Sequence, residues 1–240
     1  ILSVAPRLLA AGYGLFRLNF RDHGDSHHLN EDLFHSCRLA DVIGAVAWLQ
    51  RNYPIKPLFL AGFSLGGNFA LRVAAAAQAA NLDIAKVVAI CPVLNPEETM
   101  EALDSGWGGY QRYFIYKWRR SLLRKQQAFP DKYEFGTLSA FKTLGAMTEH
   151  FVINHTEYTD LLTYLRGYAI TGDRLGKLRV PASMLLADDD PVIPIAGLMN
   201  MNTPQSLSVY RSMFGGHCGF IENARLGSWV DDFIIDQLSS

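Results

Sequence analysis

PLFLAGFSLGGNFALRV, residues 57–73, changes character at a single serine. The segment up to it, PLFLAGFS (57–64), has the profile of a buried strand. LGGNFALRVAAAAQAA, from Leu65 onward, reads as a helix that is nearly all Ala and Leu. Between them GFSLG (62–66) matches G-x-S-x-G, and here the pattern has a mechanical meaning. A strand running straight into a helix forces a sharp, strained turn, which lifts the Ser64 hydroxyl above the sheet. Gly62 and Gly66 are expected because side chains would collide across so tight a turn, and Gly67 allows further close packing. The N–H of Leu65 is expected to point towards the serine oxygen as half of an oxyanion hole. A plain strand-to-helix turn is the bland alternative, and the strand–turn–helix context makes it the weaker one.

Working outward, GLFRLNF (14–20), KVVAICPV (86–93), ASMLLA (182–187) and SLSVYRS (206–212) are further strand candidates. Helical patterns fall at about 35–50 and at 219–238. The opening ILSVAPRLLAAGYG is a helix with Leu2, Ala5, Leu8 and Leu9 on one stripe, closed by Gly12 or Gly14. Strands alternating with helices imply an α/β fold, a mostly parallel sheet flanked by helices and joined by right-handed crossovers. Residues 95–175 hold helical patterns without a convincing strand pair. They read as a helical cap insertion in a core made of 1–94 and 176–240.

A chain of 240 residues suits one such domain carrying an insertion. With 49% hydrophobic and 19% charged residues it has an ordinary globular composition, and a net charge of −1 supplies no whole-protein attraction for nucleic acid. No run approaches the roughly 18 apolar residues of a membrane span. Cys37, Cys91 and Cys218, an odd number in a chain too long to need staples, read as free thiols of a reducing compartment, the cytoplasm.

A serine hydroxyl is a poor nucleophile without a base, and a neutral imidazole needs an acid to hold its tautomer. FGGHCGF (214–220) places His217 in a glycine-flanked loop between the last strand and the final helical pattern. LLADDDPVIP (185–194) places three aspartates after a strand. Ser64, an aspartate and His217 then follow in the order Ser…Asp…His, each at a strand's C-terminal end, where open α/β sheets assemble their sites.

NFRDHGDS, GFSLGGN, DDPVIP and GGHCGF together resemble the α/β-hydrolase fold superfamily, and most of all its YheT-like esterase branch. The resemblance covers nearly the whole chain. It implies a serine hydrolase of carboxylic (acyl) esters working through an acyl-enzyme, with no metal or organic cofactor and a small-molecule ester as substrate. Ser64 is then the nucleophile and His217 the general base. The acid is the aspartate directly before the Pro of D-P-x-x-P, Asp190, with Asp189 the alternative if the register lies one residue earlier. Asp188 and Asp189 are left as a solvated loop that should tolerate Asn. The same resemblance implies a His-Gly-type loop after the third strand as the second oxyanion donor. That loop and the first three strands have no counterpart here, so a longer gene product is expected, and a membrane anchor on the absent segment stays open. The strand that normally separates 14–20 from 57–64 is among those missing, which would leave edges exposed. Asp22 stands where the family usually has Gly, and Asp tolerates a left-handed backbone.

Two other stretches gather reactive or charged side chains. HGDSHHLNEDLFH (23–35) holds His23, His27, His28 and His35 among acids, but matches no zinc spacing and reads as a solvated polar loop. YQRYFIYKWRRSLLRKQQAF (110–129) is a basic helix carrying Arg112, Lys117, Arg119, Arg120, Arg124 and Lys125. Its preferred reading is a cap helix with a solvated basic side, and contact with an anionic membrane surface is the alternative. A thioesterase or lipase on the same triad, and a non-catalytic binding protein on the same fold, are the rival functions. A decayed copy would be expected to lose a triad residue, and none is lost. The oligomeric state has no signature in the sequence.

Overall fold

The computed structural model describes residues 4–53, 57–136 and 138–239, so Leu2 of the opening stripe lies outside the described residues. These residues separate into two compact units. The first contains the described residues up to Arg17, with Leu39–Asn95 and Ala169 onward. The second contains Leu18–Arg38 and Pro96–Tyr168.

The first unit is built on a parallel sheet of four strands in the order β1 (Phe59–Phe63), β2 (Lys86–Ile90), β3 (Ala182–Ala187) and β4 (Leu207–Ser212). Gly62 pairs with Ala89, Ala89 with Met184, and Met184 with Val209, so the strands are in register across the whole sheet. Every residue of β3 is buried, as a strand covered on both faces requires. Successive side chains of β2 point to opposite faces. Val88 and Ile90 join Val4 and Leu8 of α1 (Val4–Ala10) and Val230, Ile234 and Leu238 of α8 (Val230–Ser239) in one cluster. Ala89, on the other face, lies against α3 (Leu65–Ala76) where Gly67 passes it. α2 (Leu39–Asn52) packs beside α3. α1 closes as expected at Gly12, whose φ of 88° lets Tyr13 N–H reach Leu8 O at 3.0 Å and Gly12 N–H reach Leu9 O at 3.0 Å.

Two sequence expectations are corrected. GLFRLNF does not form a strand: Leu15, Phe16 and Leu18 stand exposed on backbone that joins no ladder among the described residues. Strand propensity cannot hold a segment without a neighbour to take its N–H and C=O groups. The closing helix begins only at Val230. Before it the side chain of Asn223 accepts the N–H of Arg225 at 3.0 Å and of Gly227 at 3.1 Å. Leu226 takes φ +60°, and Ile221 bridges Ser228 in antiparallel fashion. An Asn side chain that takes the backbone donors competes with a helix, and here it prevails.

The second unit contains α4 (Pro96–Ser105), α5 (Gly108–Ala128), α6 (Leu144–His155) and α7 (Leu161–Gly167), with no strand among its described residues. Asp104 of α4 caps α6, its two carboxylate oxygens accepting the N–H groups of Leu144 and Gly145 at 2.9 Å each. Asp160 caps α7 through the N–H of Thr163 at 2.8 Å. Trp118 of α5 meets Phe151 of α6 edge to face with ring centres 5.2 Å apart.

Candidate active site

Ser64 follows β1 directly and has φ 52° and ψ −122°, a conformation few residues other than glycine adopt. Its surroundings hold it there. Its N–H donates to Ile90 O at 2.8 Å, and its carbonyl accepts the N–H of Asn68 at 3.1 Å. A Cβ on Gly62 would lie 2.3 Å from Gly66 O, and one on Gly67 would lie 3.0 Å from Gly62 O and 3.2 Å from the Pro92 side chain. Gly66 is different: a Cβ there meets nothing within 4 Å, so the expected collision belongs to Gly62 alone of that pair. Leu65 is the first residue of α3, so its N–H is among those the helix leaves unused, at the positive end of its dipole.

His217 sits on the loop after β4. Gly216 takes φ +54°, and a Cβ on Gly215 would strike the Phe220 ring at 2.4 Å. Both glycines are tied down by one carboxylate oxygen, Oδ1 of Asp189, which accepts their N–H groups at 2.8 Å each. On this loop His217 Nε2 lies 3.0 Å from Ser64 Oγ, and His217 Nδ1 lies 2.9 Å from Asp190 Oδ2. The Asp190 side chain is 1% exposed, and its Oδ1 accepts the N–H groups of Val192 at 2.8 Å and Ile193 at 3.0 Å. Pro191 has no N–H to offer, so the next two donors turn back onto the carboxylate.

The three adjacent aspartates are thus divided among three tasks. Asp190 faces His217, Asp189 holds the His217 loop, and Asp188 pairs with Arg211, whose Nη2 lies 2.9 Å away. Asp188 and Asp189 are exposed, as expected of a solvated loop, but both are also engaged, and the sequence holds no local sign that residues 26 and 27 positions later turn back to Asp189.

Burial disfavours a charged imidazole at position 217, but the hydrogen bond that Asp190 accepts from it and the nearby charges outweigh this, and the His217 pKa is raised above its ordinary range. With the Nδ1 proton donated to Asp190, Nε2 is left to accept from the serine hydroxyl.

A family model described as the alpha/beta hydrolase fold matches residues 2–224. The chain belongs to this family. A protein of Escherichia coli (strain K12) named as esterase YheT is 23% identical over 229 residues, 93% of this chain and 67% of the relative. A monoacylglycerol lipase of Homo sapiens is 25% identical over 215 residues, 80% of this chain but only 50% of the relative. Among solved structures, an esterase of Pyrococcus furiosus shares the fold with a TM-score of 0.59 at 15% identity, over 97% of this chain and 72% of its own.

The second unit of this α/β hydrolase corrects two further expectations. Lys125, read as part of a solvated basic face, is completely buried. Its ammonium donates to Asp22 Oδ1 at 2.8 Å, to the carbonyls of Asp32 at 2.9 Å and His27 at 3.3 Å, and also to the Asn30 carbonyl. Asp22 takes φ +60°, and its other oxygen accepts the Phe34 N–H at 2.8 Å. Ser121, one turn before Lys125 on the same face of α5, donates to the Asp22 carbonyl at 3.1 Å. The histidine-rich stretch is not uniformly solvated either. His23 and His28 are exposed, whereas His27 and His35 are buried. His27 meets Ser121 Oγ at 2.8 Å, and burial, partly offset by Asp22, lowers its pKa. Among the described residues no three His, Cys, Asp or Glu side chains are grouped to hold a metal ion, and no helix is long and apolar enough to cross a membrane.

Proposed function

We propose that this chain is a serine hydrolase that cleaves carboxylic esters of small or medium size. The observation that carries the reading is the unbroken hydrogen-bonded line Asp190–His217–Ser64, with links of 2.9 and 3.0 Å, inside one compact unit. Ser64 Oγ attacks the acyl carbonyl while His217 Nε2 takes its proton, and Asp190 holds the tautomer and stabilises the imidazolium. The Leu65 N–H meets the developing oxyanion at the start of α3. The proton on Nε2 then passes to the leaving alcohol, and water, deprotonated in turn by His217, releases the acid from the acyl-enzyme. No metal or organic cofactor takes part. In this reading residues 1–94 and 176–240 form the catalytic core, and 95–175 form the helical insertion. The free thiols suit a reducing compartment, the cytoplasm.

The relative named as a monoacylglycerol lipase favours one variant of this reading, a glycerol ester of a fatty acid as substrate. Nitrophenyl esters of graded acyl length separate the two variants by where kcat/KM peaks. The reading itself is tested by labelling with a fluorophosphonate, with Ser64→Ala as the blank. Labelling of the wild type alone is the expected result, and a folded wild type that stays unlabelled is not a serine hydrolase.

A further inference from the structure

The Asp190–His217–Ser64 line uses no cysteine, yet two lie against it. Cys91 follows the last residue of β2, and Cys218 follows His217. They are 127 positions apart in the chain and interlock in space. The Cys91 thiol points at the Gly216 carbonyl at 4.0 Å, two residues before Cys218, and the Cys218 thiol points at the Ile90 carbonyl at 3.8 Å, one residue before Cys91. Both residues have positive φ, 41° for Cys91 and 66° for Cys218, so each backbone is held in a conformation that non-glycine residues seldom adopt. Cys91 is wholly buried, whereas Cys218 is only half-buried and is the one a small oxidant can reach.

We propose that Cys91 and Cys218 form a peroxide-sensitive dithiol pair, and that its disulfide slows the reaction at Ser64. This rests on the serine-hydrolase reading for its consequence but not for its chemistry. The Cys218 thiolate attacks one oxygen of hydrogen peroxide, the O–O bond breaks, hydroxide leaves, and a sulfenic acid remains. The Cys91 sulfur then displaces that sulfenic hydroxyl as water while losing its own proton. The two thiols give up two electrons, and the peroxide is reduced to two waters. The partners are suited to these roles: the adjacent Cys91 thiol and the neighbouring His217 hold the Cys218 thiol below its ordinary range against burial, while the nearby Cys218 and burial push Cys91 up. A covalent S–S bond draws the two sulfurs to about 2.05 Å, closer than unbonded thiols can approach. Because His217 adjoins Cys218 in the chain, its imidazole shifts from the serine it meets at 3.0 Å.

The test treats reduced protein with hydrogen peroxide, then reads free thiols under denaturing conditions, disulfide-linked peptides by mass, and the rate of fluorophosphonate labelling. Thiols fall from three to one, the linked peptides contain Cys91 and Cys218, and labelling slows by about 10-fold or more until dithiothreitol restores it. Cys37→Ser still forms the bond, whereas Cys91→Ala and Cys218→Ser each abolish it and the peroxide-dependent slowing. Three thiols surviving treatment, or a Cys218 sulfinic acid with no linked peptide, overturns the pair. A disulfide that leaves the labelling rate unchanged overturns the regulatory half. Reduced protein that never labels removes the hydrolase reading, while the linked peptides still report on the pair.

Discussion

Oδ2 of Asp190 lies 2.9 Å from Nδ1 of His217, and the carboxylate that makes this contact is almost sealed from solvent. Asp190→Asn keeps the shape but offers the imidazole an amide, which favours the wrong tautomer. By the precedent of Ser-His-Asp enzymes kcat falls about 10⁴-fold with the fold intact. Steady-state kinetics with an activated ester, beside circular dichroism, reads both halves. A loss of less than about tenfold would mean that another residue serves as the acid.

Asp189 separates positioning from acid–base work. Asp189→Asn retains an oxygen acceptor for the Gly215 and Gly216 N–H groups, so turnover stays within about fivefold. Asp189→Ala frees the loop and lowers kcat by about 10- to 10²-fold. If Asn proves as damaging as Ala, the charge matters more than the two hydrogen bonds.

The raised pKa of His217 makes a pH prediction. The base must be neutral, so kcat/KM rises with pH and its midpoint lies above the ordinary imidazole value of about 6.5. Stability runs the other way. A group whose pKa is raised on folding contributes fully below the unfolded value and loses that contribution as pH climbs through the folded one. Activity therefore increases across the same window, from about 6.5 upward, in which the contribution of His217 to stability is withdrawn. Asp190→Asn lowers the midpoint. A midpoint below about 6 in the wild type contradicts the assignment of the base.

What could be read from the sequence was local. The serine turn is legible because strand, glycines and helix are contiguous, whereas the residues alone leave three aspartates and only the D-P-x-x-P resemblance singles out Asp190. Asn223 defeats the periodicity of Phe220, Ile221 and Ala224 through a side-chain bond that apolar spacing does not register. GLFRLNF fails as a strand because pairing is decided by neighbours, which its own residues do not specify. Lys125 hides among five other basic residues of its stretch, and only the tertiary structure brings it to Asp22, 103 positions away.

The two glycines flanking the serine turn should part company. Gly62→Ala drives a Cβ into Gly66 O and is expected to destabilise by about 1–3 kcal/mol or more and to abolish labelling of Ser64. Gly66→Ala enters open space early in α3 and changes stability by less than about 1 kcal/mol. Denaturant midpoints of the two variants decide, and equal losses would contradict the geometry of the turn.

Lys125→Met removes the ammonium and leaves the Asp22 carboxylate buried, with the carbonyls of His27, Asn30 and Asp32 deprived of their donor. Breaking such a pair from one side is expected to destabilise by about 3–5 kcal/mol, far more than loss of an exposed ion pair. The matched control is Arg120→Met, on an exposed side chain of the same helix, which should change stability by less than about 0.5 kcal/mol. Adding Asp22→Asn to Lys125→Met removes the stranded charge, so the double variant should recover part of the loss. Urea unfolding of the three variants measures this, and a double variant no better than Lys125→Met would show that the carbonyls, rather than the carboxylate, depend on the lysine.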